Sequence, residues 1–196
     1  HTLNWQTDHL IKAISQINDQ HLFERAVRKA KSAEANEQLV TQLLVKGNFQ
    51  LLSQIKLLYK MPTNETDSLI RTLLKHPNVM HYLKSDLLHF LINQNNTDTY
   101  ELAWFGSEYS LSIKNLDTYR EQPIYAATIT SIQNYCDAQN PHLFDDICQQ
   151  FTMHAVIYYP FLTEVISSGQ AWLDIFLVQN GLEDVTSKTL LNQDLL

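Results

Sequence analysis

The chain has 196 residues, 44% of them hydrophobic and 18% charged; it is long enough to bury a sizeable core, and the composition excludes a disordered or low-complexity chain. Its net charge of −7 is uneven: residues 1–98 carry 11 Lys and Arg against 9 Asp and Glu, and residues 99–196 carry 3 against 12. The acidic half disfavours nucleic acid and anionic membrane and favours a basic or neutral partner, and no apolar run approaches the ~18 residues of a membrane span.

Helical periodicity dominates, and no segment shows the sustained alternation of a half-buried strand. A first helix is expected over Asp8–Ile17, with Asp8 as N-cap and Leu10, Ile11, Ile14 and Ile17 on one face. After the turn Asn18-Asp19, a second carries Leu22, Phe23, Ala26, Val27 and Ala30. A polar bridge, Ser32–Asn36, leads to the stripe Leu39, Val40, Leu43 and Leu44, which stops at Gly47-Asn48, a pair that tolerates a left-handed backbone.

The next helix, Phe49–Tyr59, ends before Met61-Pro62-Thr63-Asn64. Asp67 or Ser68 then caps Leu69–Leu74, and His76-Pro77-Asn78 breaks the pattern. Met80–Leu83 and Leu87–Ile92 read as two short helices; Thr99–Phe105 and Tyr109–Leu116 flank Gly106, in a region made partly loop-like by Gly106, Ser107, Ser110 and Gln122. Pro123 opens Ile124–Ile129, with Ile132–Cys136 following after a thin break. Pro141 and His142 start a helix through His154 towards Tyr159, and Thr189–Leu196 reads as half of a further hairpin.

Pro160–Val185 reads as a helix, a tight turn, a second helix and an acidic loop, one helical hairpin in 26 residues. It resembles one unit of the ankyrin family, which runs as Pro-Leu, a short helix, Gly-Asn or Gly-His, then a helix ending in Leu-Leu, a polar residue and Gly-Ala-Asp. Here Pro160 opens the unit, Gly169-Gln170 sits at the turn, and Phe176-Leu177 precedes Asn180-Gly181. Helix-end segments Ile14–Asn18 and Leu44–Asn48 lie 30 residues apart, close to the family's ~33-residue period. Asn96 follows Asn48 by 48, which requires an insertion around 60–90.

The fold class so expected is all-α: stacked helical hairpins in a short, ankyrin-like α-solenoid, forming a single domain over 1–196 cut from a longer protein. The resemblance implies a non-catalytic scaffold that binds another protein, without cofactor or metal, or that packs against other domains of its parent chain. The Asn- and Gln-rich, Gly-poor texture also resembles eroded ankyrin segments of effectors that intracellular bacteria inject into host cells. That likeness implies a host protein as partner and the host cytoplasm as location. With only Cys136 and Cys148 in the chain, a disulfide framework is not expected and a reducing, cytoplasmic compartment is.

Aromatic residues with Arg are what interfaces favour at their centres. Trp104, Tyr109, Tyr119 and Arg120 are therefore the candidate protein-binding residues. The rival is a helical enzyme or enzyme-regulatory domain using His76, His81 and His89, or a Cys–His pair from Cys136, His142, Cys148 and His154. Pro77 interrupts the first set, and the six-residue spacing of the second turns successive members about 240° around a helix. Neither matches a zinc motif, in which ligands pair closely. Trp172, on a stripe with Ile175 and Phe176, is expected in the core.

Overall fold

The computed structural model describes residues 19–182. The helix expected over Asp8–Ile17, the end of the 160–185 unit and Thr189–Leu196 lie outside them. Helix is the main component, with one two-stranded sheet. The chain groups into two compact units. One runs to Phe90 and takes in Thr99–Leu111; the other is formed by Leu91–Asp98 and the chain from Ser112 onward.

The first unit begins with α1 (19–29) and α2 (Ala33–Val45). The polar bridge expected at Ser32–Asn36 is instead the start of α2. Ser32 caps it by accepting the Ala35 amide at 3.2 Å, and Asn36 is fully buried, donating to the Ser32 carbonyl and to Ser68 Oγ at 2.6 Å. Gly47, at φ 93°, turns the chain into α3 (Asn48–Leu58) as its spacing suggested.

Helix α4 (Thr63–Lys75) starts a turn earlier than expected, directly after Pro62, because Asp67 is not a cap. Its carboxylate receives Tyr100 Oη and Arg71 Nε instead. Helix α5 (His81–Asn93) replaces the two short helices expected there. The polar run Lys84-Ser85-Asp86 masked its continuity, yet Lys84 and Ser85 are buried within it. Leu69, Leu73, Leu83 and Leu87 of these helices are fully buried, and α2 and β1 (Thr99–Trp104) pack on α4.

Thr99–Phe105 and Tyr109–Leu116 are not helices. They form a hairpin of β1 and β2 (Ser107–Ser112), followed by a 3-10 turn at Ile113–Asn115. The physical reason is a short alternation: Tyr100 and Leu102 are buried and Glu101 between them is exposed, a period of two that a helix cannot sort.

In the second unit, α6 (Pro123–Ala138) is continuous through the expected break. The hydroxyls of Thr130 and Ser131 bond back to the carbonyls of Ala126 and Ala127, so these residues are satisfied inside the helix. A 3-10 turn at Pro141–Leu143 leads to α7 (Phe144–Tyr158), with Asp145 and Asp146 in the favourable first turn. Then come α8 (Leu162–Val165) and α9 (Gly169–Gln179).

Gly169 is the first residue of α9, not the turn; Ser168 caps that helix by accepting the Ala171 amide at 3.1 Å. Glycine is required because α9 crosses α6 there: a Cβ would stand 2.6 Å from Thr128 Cα. At the other end, Gly181 at φ 66° and the bonds from its amide to Val178 O and from Leu182 N to Leu177 O form a Schellman stop. Trp172 lies in the core with Phe151, Leu173 and Ile132. Among the described residues no helix is long and apolar enough to cross a membrane.

Candidate interaction surface

The four candidate residues fall into two pairs, one in each unit. Trp104 ends β1 and Tyr109 lies on β2, and their rings meet edge to face at 6.1 Å. Between the strands the chain reverses through Phe105 and Gly106, at φ 44° and 83°. Both are left-handed, as a two-residue hairpin turn demands. For Gly106 this costs nothing; for Phe105 it is strained, of order 1 kcal/mol.

The surroundings fix that strain. The Phe105 ring stacks on His81, centroids 3.9 Å apart and planes 7° from parallel, and its edge meets Trp104 at 4.7 Å. The Phe105 amide donates to His81 Nε2 at 3.1 Å. Yet Phe105 remains 54% exposed, one of the largest apolar groups the described surface presents. Beside it lies a groove of about 170 Å³ lined by Lys75, Pro77, His81, Phe105 and Glu108.

Two cations tie the hairpin to its helices. Lys84, 2% exposed, donates through Nζ to the Ala103 carbonyl at 2.6 Å, and burial pushes its ammonium down to about 8. Arg71 donates to the Thr99 carbonyl at 2.7 Å, pairs with Asp67 at 2.7 Å, and lies over the Tyr100 ring at 4.1 Å. Burial, and then Lys84, hold the His81 imidazole below its ordinary pKa. The neutral ring is therefore favoured, and neutral Nε2 is what the Phe105 amide needs.

The second pair has another character. Tyr119 is half-buried against the core of its unit and meets Tyr125 edge to face at 5.4 Å. Arg120 is exposed, with Nε donating to Tyr119 Oη at 3.1 Å and the guanidinium 5.6 Å from that ring. The loop is anchored by Tyr159 Oη donating to Asp117 O and by Gln122 donating to Pro160 O.

Of the histidine and cysteine sets, His76, His81 and His154 have structural partners. His76 Nδ1 accepts the Asn78 amide and its Nε2 stands 3.4 Å from Glu37, whereas His81 belongs to the hairpin tip. His154 Nδ1 accepts the Trp172 indole N–H at 3.1 Å, and burial lowers its pKa. Both thiols are free, and burial raises their pKa values, the reverse of what a nucleophile needs. Among the described residues no group of three His, Cys, Asp or Glu is placed to hold a metal ion.

The sequence does not mark Phe105 or Lys84 as site residues, and it marks His81 only within the histidine set of the enzyme reading. The available signal was Phe-Gly between two alternating runs, only half of the Asn-Gly type that marks a tight hairpin. Compared with protein-family models, curated proteins and solved structures, the chain matches none of them.

Proposed function

We propose that the chain is a protein-interaction module without catalysis of its own, which binds a partner through the aromatic tip of its hairpin. The observation that carries this reading is Phe105: over half exposed, held in a left-handed backbone, and kept rigid by His81, Trp104 and Lys84. Strain of this kind persists where the surroundings over-determine it. A large ring fixed before binding loses little entropy on docking, which is how aromatic anchors contribute most of an interface's affinity.

The wider setting follows the resemblance at 160–185. The pair α8–α9 has the order of an ankyrin hairpin, a short helix and then a longer one closed at Asn180-Gly181. On that footing the helices are a repeat-like scaffold, and the partner is a host protein met by a bacterial effector, or another domain of the parent chain. The test is capture from a eukaryotic lysate by the immobilised chain and by Phe105→Ala. A stoichiometric partner lost in the variant, with thermal unfolding nearly unchanged, supports the reading. Equal capture by both, or no capture by either, overturns it.

A further inference from the structure

The two edges of the hairpin differ. The Ile113 amide donates to Asp98 O at 3.0 Å, and the strands are joined by a two-residue turn, so residues 98, 100, 102 and 104 pair with 113, 111, 109 and 107. The backbone groups of the alternate residues then point away from the partner strand: Thr99, Glu101 and Ala103 on β1, and Glu108, Ser110 and Ser112 on β2. On β1 side chains cover both ends of that outer edge. Arg71 takes the Thr99 carbonyl, Lys84 takes the Ala103 carbonyl, and His81 takes the next amide, that of Phe105.

On β2 it is open. Glu108 and Ser110 are exposed, and no other part of the described chain bonds to their outward backbone groups; the strand ends at Ser112, whose carbonyl opens the 3-10 turn Ile113–Asn115. The strand carries neither the Lys nor the Pro that commonly blocks an edge. Its two faces also differ. Glu101, Glu108 and Ser110 share the solvent face, and Thr99–Ser112 contains no Lys or Arg; Tyr109 and Leu111, on the other face, are half-buried.

We propose that the outer edge of β2 receives an extended segment of a partner protein as a third strand, with Lys or Arg alternating with apolar residues. The outward N–H and C=O groups of Glu108 and Ser110 supply the main-chain bonds, and main-chain pairing of this kind gives affinity while alternate side chains give specificity. A cation opposite Glu108 meets its carboxylate, and one opposite Ser110 reaches Glu101 across a small side chain. Apolar residues on the other face extend the layer of Tyr109 and Leu111. A second copy of this chain fits poorly, because two β2 strands side by side bring their Glu108 carboxylates to one acidic face. The inference rests on the interaction-module reading and gives it a partner class.

The experiment titrates the full chain with an eight-residue peptide of alternating Lys and Val. Its controls are a Glu–Val peptide and a Lys–Val peptide N-methylated at every second residue. Amide protection is followed residue by residue. The expected result is saturable binding of the Lys–Val peptide alone, with new protection at Glu108 and Ser110. Ser110→Pro, which removes only an outward N–H, and Glu108→Lys should each weaken binding at least tenfold. Glu108→Lys, a surface change, keeps the test decisive if the proline variant does not fold. Equal binding of the N-methylated peptide, protection of these amides without peptide, or dimerisation of the chain through them overturns the proposal. Failure here alongside Phe105-dependent capture from lysate overturns strand addition alone; loss of both overturns the interaction reading itself.

Discussion

The imidazole of His81 lies flat on the ring of Phe105, 3.9 Å between centroids, while its Nε2 accepts the Phe105 amide. That nitrogen accepts only when unprotonated, so the neutral ring holds the turn. Its folded pKa lies below the ordinary 6.5, through burial first and the Lys84 charge second. The unfolded chain then takes up the proton more readily than the folded one. The stabilisation is complete above pH about 6.5 and is lost as pH falls towards the folded value. Protection of the Phe105 amide should therefore drop in mild acid before that of amides within α4. His81→Gln, which keeps an acceptor but does not titrate, should abolish the drop; a drop that survives in this variant would assign it to another group.

Two glycines answer to different constraints. At Gly106, with φ 83° and nothing within 4 Å of an added Cβ, Ala meets only a conformational penalty, about 1 kcal/mol. At Gly169 the backbone angle is not the difficulty, but a Cβ would stand 2.6 Å from Thr128 Cα and 2.7 Å from its N. Gly169→Ala should cost roughly 1–3 kcal/mol by forcing α6 and α9 apart. Because the obstructing atoms are main-chain, Thr128→Ala should not rescue it. Urea unfolding of the two single variants and the double variant checks this; rescue by Thr128→Ala would place the clash on the side chain.

Lys84 makes stability rise with pH at the alkaline end. Its pKa is about 8 in the folded chain, against an ordinary 10.5, because burial penalises the ammonium. Below about 8 both states are protonated and the whole penalty is present; between about 8 and 10.5 only the unfolded state holds the proton, so unfolding becomes harder as pH rises. The urea midpoint should climb over that window in the parent chain. It should stay flat in Lys84→Met, which also leaves the Ala103 carbonyl without its donor. A flat profile in both would show that the ammonium is solvated.

The helices were readable where caps and periodicity agreed, as at the Gly47 turn and Pro123; the helix expected from Pro141 and His142 begins instead at Phe144, because Pro141–Leu143 form a 3-10 turn. Helices were misread where a polar residue in the pattern has a buried partner. Asn36 reads as a linker until Ser68 is opposite it, and Lys84 as a break until Ala103 O receives it. Both partners are over 15 residues away in sequence, so no local window contains the explanation. The hairpin escapes a periodicity reading because its alternation spans only Tyr100, Leu102 and Trp104, too short a run to stand out from the helical pattern around it. Of the candidate site, Trp104 and Tyr109 were legible as aromatics near a glycine. Phe105 was not, since its role depends on a φ of 44° and on His81, 24 residues earlier.

The pair in the second unit separates affinity from stability. Arg120 is exposed, and its contact with the Tyr119 ring, 5.6 Å from guanidinium to centroid, is a solvent-side one. Its removal should change stability by no more than ~0.5 kcal/mol. Tyr119 packs against the core beside Tyr125, so Tyr119→Ala should cost roughly 1–2 kcal/mol, below the cost of a fully buried ring. Arg120→Ala is therefore the clean probe. If this loop joins the interface, the variant weakens partner capture several-fold at an unchanged melting temperature. If capture stays at the parental level while Phe105→Ala abolishes it, the interface is confined to the hairpin, and Tyr119 serves only the core of its own unit.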